Sequence, residues 1–246
     1  MMRRAALAAA FAATIAGPAA ACEVALVLAI DVSGSVDPNE FRLQMDGLAA
    51  ALADSTVRDA MIEANAKIAV MQWSGTSRQA VDVPWTTMDS HEDIDRLADA
   101  VKTAPRAFRH FSTAIGDALS RAAALLGEVA GRCDRLVVDV SGDGLSNEGR
   151  PVERMRDALV RGGVVVNGLA IETSEPGLTE YFTRSVIGGG GAFVITAKTF
   201  EDYPRAIRRK LLRELTDHVV EAPRARPFRN RREEPIYKAS LRGLWR

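Results

Sequence analysis

Two hydrophobic patterns alternate along the chain. Residues 24–30 (VALVLAI) form an unbroken apolar run, as expected of a central parallel strand covered on both faces. From about Pro38 the period changes. Phe41, Met45, Leu48, Ala49 and Leu52 fall on one helical stripe, with proline in the first turn. Residues 67–73 (KIAVMQW) predict a second strand. Residues 79–83 (QAVDV) alternate and stop at Pro84, which suits a short edge strand. Helices follow over about 91–102 and 113–126, a buried strand over 135–140 (RLVVDV), and a helix near 152–161. A strand over 164–171 (VVVNGLAI), a short helix over 178–184, a strand over 192–195 and an amphipathic helix over 200–215 complete the pattern. Strands alternating with helices predict a doubly wound α/β fold. The expected sheet is mostly parallel and six-stranded, with helices on both faces and one short antiparallel edge strand. Neither an internal repeat nor a second domain is visible.

Composition changes at the two ends. Residues 1–21 read as a signal peptide. Arg3 and Arg4 precede an Ala-rich apolar run, Gly17-Pro18 breaks it, and Ala19-Ala20-Ala21 offers small residues for cleavage. Residues 22–220 then form the domain and 221–246 a basic, flexible tail. From Pro223 to Arg246 eight Lys and Arg side chains stand against Glu233 and Glu234, a charge of +6 that leaves −8 on residues 22–222. Such a tail stays solvated, or contacts anionic lipid or an acidic protein surface. Over the whole chain of 246 residues, 32 basic side chains balance 32 acidic ones, so nothing pulls the protein toward nucleic acid. With 47% hydrophobic residues and 26% charged, the chain is neither disordered, collagen-like nor a multi-span membrane protein.

In open α/β sheets ligands bind outside the carboxyl ends of the strands, where the winding direction reverses. Distinctive residues stand at those positions here. Asp31-Val32-Ser33-Gly34-Ser35 follows the first strand, and Ser141-Gly142-Asp143-Gly144 follows a later one. Between them Phe111-Ser112-Thr113 opens a helix. Each alone reads as a turn or a helix cap. Together Asp31, Ser33, Ser35, Thr113 and Asp143 supply two carboxylates and three hydroxyls. An all-oxygen set without His or Cys suits a hard ion, Mg²⁺ or Mn²⁺, whose octahedron water or an outside oxygen must complete. A carboxylate from a partner protein is a natural sixth ligand.

These motifs resemble the von Willebrand factor A domain with its metal-ion-dependent adhesion site, whose pattern is Asp-x-Ser-x-Ser, then Thr, then Asp. Asp31, Ser33 and Ser35 match the first loop, Thr113 the second and Asp143 the third. The resemblance covers roughly residues 24–215. Within it, the DVSGSV and VDVSGDG stretches resemble a group of exported bacterial proteins of this fold (DUF1194-like). With the signal-like start and the ligand chemistry, the expectation is an exported, periplasmic, adhesion-type module that is not an enzyme and grips an acidic group of an unidentified protein through its ion; what such a protein binds is not implied by the resemblance. Asp139 interrupts an apolar strand on the face of Asp143, so the expectation is that it orients the hydroxyls beneath the ion.

Cys22 lies nine residues before Asp31 and Cys133 ten before Asp143, so both fall at the far edge of the sheet. If their strands are neighbours about 5 Å apart, a disulfide fits. It competes with lipidation of Cys22, for which Ala19 is a poor match. The rival from another class is a Mg²⁺-dependent haloacid-dehalogenase-like phosphohydrolase, which also places an Asp after its first strand. Such phosphatases normally carry an acid/base Asp two residues on, where this chain has Ser33. A run of four glycines, 188–191, precedes a strand and is at the wrong end of the sheet to cradle phosphate. No Gly-x-Ser-x-Gly elbow accompanies the three histidines.

Overall fold

A computed structural model describes residues 22–109 and 111–216. The signal-peptide and basic-tail readings lie outside the described residues. Six strands form one sheet: β1 (Cys22–Asp31), β2 (Lys67–Trp73), β3 (Gln79–Thr87), β4 (Cys133–Gly142), β5 (Val164–Ile171) and β6 (Val194–Ala197). Their spatial order is β3-β2-β1-β4-β5-β6. Every pairing is parallel except that of β2 with β3. β1 is buried along nearly its whole length, which is why its sequence is apolar on both faces.

Seven helices cover the sheet: α1 (Pro38–Leu52), α2 (Ser55–Glu63), α3 (His91–Thr103), α4 (Ile115–Val129), α5 (Val152–Arg161), α6 (Leu178–Tyr181) and α7 (Tyr203–Thr216). α1, α2, α3 and α7 enclose one core with Leu26, Leu28 and Ile30 of β1. α4, α5 and α6 enclose the other with Ala25, Val27 and Ala29. Period-two alternation along a single strand thus feeds two separate cores. None of the helices among the described residues is long and apolar enough to cross a membrane.

Three details differ from the sequence reading. β3 continues through Pro84 to Thr87, because irregular pairing between Ile68 and Met71 absorbs the proline's missing donor on this edge strand. α2 was not foreseen. It buries only Val57 and Met61, too short a stripe to stand out, and starts on the Asp54 side chain, which accepts from Thr56 N at 3.1 Å and Val57 N at 3.3 Å. α4 begins at Ile115 rather than Thr113.

The sheet reverses its winding between β1 and β4. Ile30 pairs with Ser141 in the parallel register, so Asp31 and the 142–144 turn emerge side by side. At the opposite end Cys22 is the register partner of Cys133, and the two are joined in a disulfide. The sulfur of Cys22 is therefore held within the protein and is not the site of a lipid.

Candidate metal-ion site

Where β1 ends, Asp31 turns back on its own loop, its Oδ1 accepting Ser33 N at 2.7 Å. This Asx-type turn curls the chain so that Ser33 Oγ and Ser35 Oγ lie 3.3 Å apart. Ser35 Oγ then donates to Asp143 Oδ1 at 2.7 Å, across 108 positions of sequence. Residues 142–144, at the end of β4 and just beyond it, stand against three members of the predicted set. A Cβ on Gly142 would sit 2.9 Å from Asp31 Oδ2, Asp143 holds Ser35, and a Cβ on Gly144 would lie 3.9 Å from Thr113 Oγ1. All five predicted residues gather at this point. Glycine at 142 lets the backbone approach the Asp31 carboxylate, as no side chain could.

Thr113 is fixed from several directions. Its N donates to Asn147 Oδ1 at 3.0 Å, and its carbonyl accepts from Asn147 N at 2.9 Å. Its role as helix cap is taken by Ser146, whose Oγ accepts Ile115 N at 3.2 Å. The same loop reaches the first one through Gly34 N, which donates to the Phe111 carbonyl at 2.8 Å. Ser74 Oγ donates to the Ser112 carbonyl at 3.1 Å, tying in the turn after β2. Arg106 braces the first loop by donating to the carbonyls of Val32 (3.0 Å) and Ser33 (2.8 Å). Sequence reasoning missed these braces. Ser146 and Asn147 carried a local signal, since they continue the turn after Asp143, whereas Arg106 carried none.

Electrostatics set this point apart. Asp31, Ser33 and Asp143 are buried, as is Thr113. Burial pushes the Asp31 carboxyl up to about 8, and the neighbouring Asp143 charge adds to the rise. Burial also raises Asp143, against the hydrogen bond from Ser35. Asp31 Oδ2 has no hydrogen-bond partner, although a buried carboxylate oxygen is costly to leave unpaired. Two desolvated carboxylates edged with hydroxyls, one oxygen without a partner, are what a small divalent cation would satisfy. Among the described residues no cluster of three or more His, Cys, Asp or Glu side chains is placed to hold a metal. Any ion here therefore relies on hydroxyl oxygen.

Other candidates take different places. Asp139, expected to orient the hydroxyls, instead pairs with Lys210, its Oδ1 lying 2.9 Å from Lys210 Nζ. Four residues of strand put it roughly 13 Å below Asp143, beyond the reach of so short a side chain. Lys210 also pairs with Glu214 Oε1 at 2.5 Å, and Asn167 Nδ2 donates to the same oxygen at 2.9 Å. Burial raises Glu214 to about 7, against the nearby Lys210 charge. Asp37 caps α1, accepting from Asn39 N at 2.6 Å and Glu40 N at 2.9 Å. Glu148 is exposed yet accepts from Thr76 N at 2.6 Å. Trp73, at the end of β2, is a core residue.

A doubly wound sheet with this loop arrangement at its switch point is a von Willebrand factor A-type fold. Solved structures of that fold include a von Willebrand factor type A protein from Catenulispora acidiphila. It is 18% identical with a TM-score of 0.59, covering 78% of this chain and 43% of that one. Proximal thread matrix protein 1 from the mussel byssus, described with a zinc-occupied MIDAS motif, is 17% identical with a TM-score of 0.59 over 79% and 46% of the two chains. An aerotolerance-related membrane protein from Bacteroides fragilis, carrying multiple mutations to serines, is 20% identical with a TM-score of 0.53 over 76% and 98%. The chain thus spans less than half the length of the first two. No curated protein matches it in sequence. The chain belongs to the family described as "Protein of unknown function (DUF1194)", which matches residues 21–219.

Proposed function

We propose that the protein is an exported, ion-dependent protein-binding module of adhesion type and not an enzyme. Its ion is Mg²⁺ or Mn²⁺, held by the hydroxyls of Ser33, Ser35 and Thr113 with the carboxylates of Asp31 and Asp143. The observation that carries this reading is the unpartnered Asp31 Oδ2, buried beside a second carboxylate at the switch point of the sheet. When bound, the ion supplies a positive charge able to accept one more oxygen ligand. The Asp31 turn, the Arg106 brace and the Asn147 clamp hold the hydroxyls in place beforehand, so little ordering remains to be done on binding. The open ligand position suits a carboxylate from a partner protein. The mussel protein with its zinc-occupied site supports an ion in this fold, while the hard, all-oxygen set here favours Mg²⁺ or Mn²⁺. A disulfide in a chain that begins with a signal-like segment suits an oxidising, periplasmic compartment. Domain limits of 22–220 follow from the same reading. A Mn²⁺ titration followed by electron paramagnetic resonance tests it. One saturable site that Mg²⁺ competes for, lost in Ser33→Ala and Thr113→Ala, is the expected result. Full occupancy in both variants would refute the assignment.

A further inference from the structure

Among the described residues two large apolar side chains are exposed, Phe111 at 41% and Leu145 at 42%. Isolated exposed apolar residues are ordinary. These two coincide on the loops that build the ion site, one two residues before Thr113 and the other two residues after Asp143. Both positions are tied to the loops of the site. The Phe111 carbonyl accepts Gly34 N at 2.8 Å, which seats it against the first loop. Leu145 stands between Gly144, which faces Thr113, and Ser146, whose Oγ donates to the Thr113 carbonyl at 3.3 Å.

The charge around this pair favours an acidic guest. The Arg78 guanidinium lies over the Phe111 ring, 4.6 Å from its centroid, and Arg109 is exposed two residues before Phe111. Beside the first loop is a cavity of about 640 Å³ lined in part by Gly34, Val36, Phe41, Arg42, Arg106 and Arg109. The rim's acids, Asp37 and Glu148, are turned to main-chain N–H groups, which offsets part of their charge.

We propose that this rim is a docking surface for a segment of a partner protein in which an Asp or Glu is flanked by bulky apolar side chains. The carboxylate is placed at the ion, the flanking side chains lie on Phe111 and Leu145, and further negative charge along the segment falls on Arg78 and Arg109. A small charged metabolite would leave both apolar side chains uncovered; a peptide covers them and removes their surface from water. The inference rests on the ion-site reading and adds to it the chemistry of the partner.

Three fluorescein-labelled octapeptides test it by fluorescence anisotropy: one with a central Asp between Leu and Phe, one with that Asp between glycines, and one with Asn in place of Asp between Leu and Phe. In Mg²⁺ the apolar-flanked Asp peptide should bind at least about tenfold more tightly than the glycine-flanked one. The Asn peptide, and EDTA, should remove binding. Phe111→Ser and Leu145→Ser should each narrow the preference at least about threefold while leaving the Mg²⁺-induced rise in Tm unchanged. Equal binding of the two Asp peptides, indifference to both substitutions, or no binding of any peptide while the Mg²⁺ rise persists would overturn the docking surface and spare the ion site. Absence of the Mg²⁺ rise in the unaltered protein would sink the ion site and this inference with it.

Discussion

Replacing Asp31 by asparagine keeps the shape of the site and removes one charge from it. The amide oxygen can still accept Ser33 N, the bond the carboxylate makes at 2.7 Å. Only the unpartnered Oδ2 changes character. Burial and the Asp143 charge push this carboxyl up to about 8, against 3.8 for its ordinary value. A raised folded value means that the native chain holds a proton the unfolded chain has released. The associated stability is therefore complete below about pH 4 and is lost as pH rises to about 8. From pH 5 to 8 the loss is at most about 4 kcal/mol at 1.36 kcal/mol per unit. For a domain of this size that corresponds to a fall in Tm of roughly 8–16 °C. Asp31→Asn should escape this part of the fall, so calorimetry in EDTA should show it losing less stability than the unaltered chain between those pH values. Mg²⁺ at a hundred times its Kd should add about 2.7 kcal/mol to the unaltered chain at pH 8, a rise of roughly 5–11 °C, and nothing to the variant. Parallel pH profiles for the two proteins, or an equal Mg²⁺ rise in both, would refute the account of a buried charge awaiting a cation.

Three further outcomes follow from other parts of the structure. Gly142→Ala places a Cβ 2.9 Å from Asp31 Oδ2 and should weaken Mn²⁺ binding at least about tenfold, as read by titration, while the far spectrum of the fold stays unchanged. Opening the disulfide with Cys22→Ser and Cys133→Ser together releases a link between residues 111 apart, and denaturant unfolding should show a loss of about 4 kcal/mol with Mg²⁺ affinity retained. Lys210→Met leaves Asp139 and Glu214 buried without their cation and should lower stability by about 3–5 kcal/mol at pH 8. The deficit should shrink at pH 5, because Glu214, already raised to about 7, is then neutral; an equal deficit at both pH values would argue against the ion pairs as its cause.

The sequence by itself determined the strands, most of the helices and which residues come to stand at the carboxyl ends of the strands. Continuous apolar runs such as 24–30 can be satisfied only between two layers, and short loops after them leave acidic and hydroxyl residues at the carboxyl ends. The same regularity carried Cys22 and Cys133 to the other end of adjacent strands, where they are joined. Local pattern does not encode what meets across the chain. Pro84 reads as a stop because its missing donor is a local fact, while the irregular pairing that tolerates it belongs to β2. Asp139 shares a face with the loop residues by period, yet its partner arrives on α7, some 70 positions later. The brace from Arg106, the capping of α4 by Ser146 and the pairing of Ser35 with Asp143 likewise depend on packing. A sequence states which oxygens are available; only the closed sheet decides which of them are dry, how near they stand and which one is left without a partner, because desolvation and distance are properties of the packed whole.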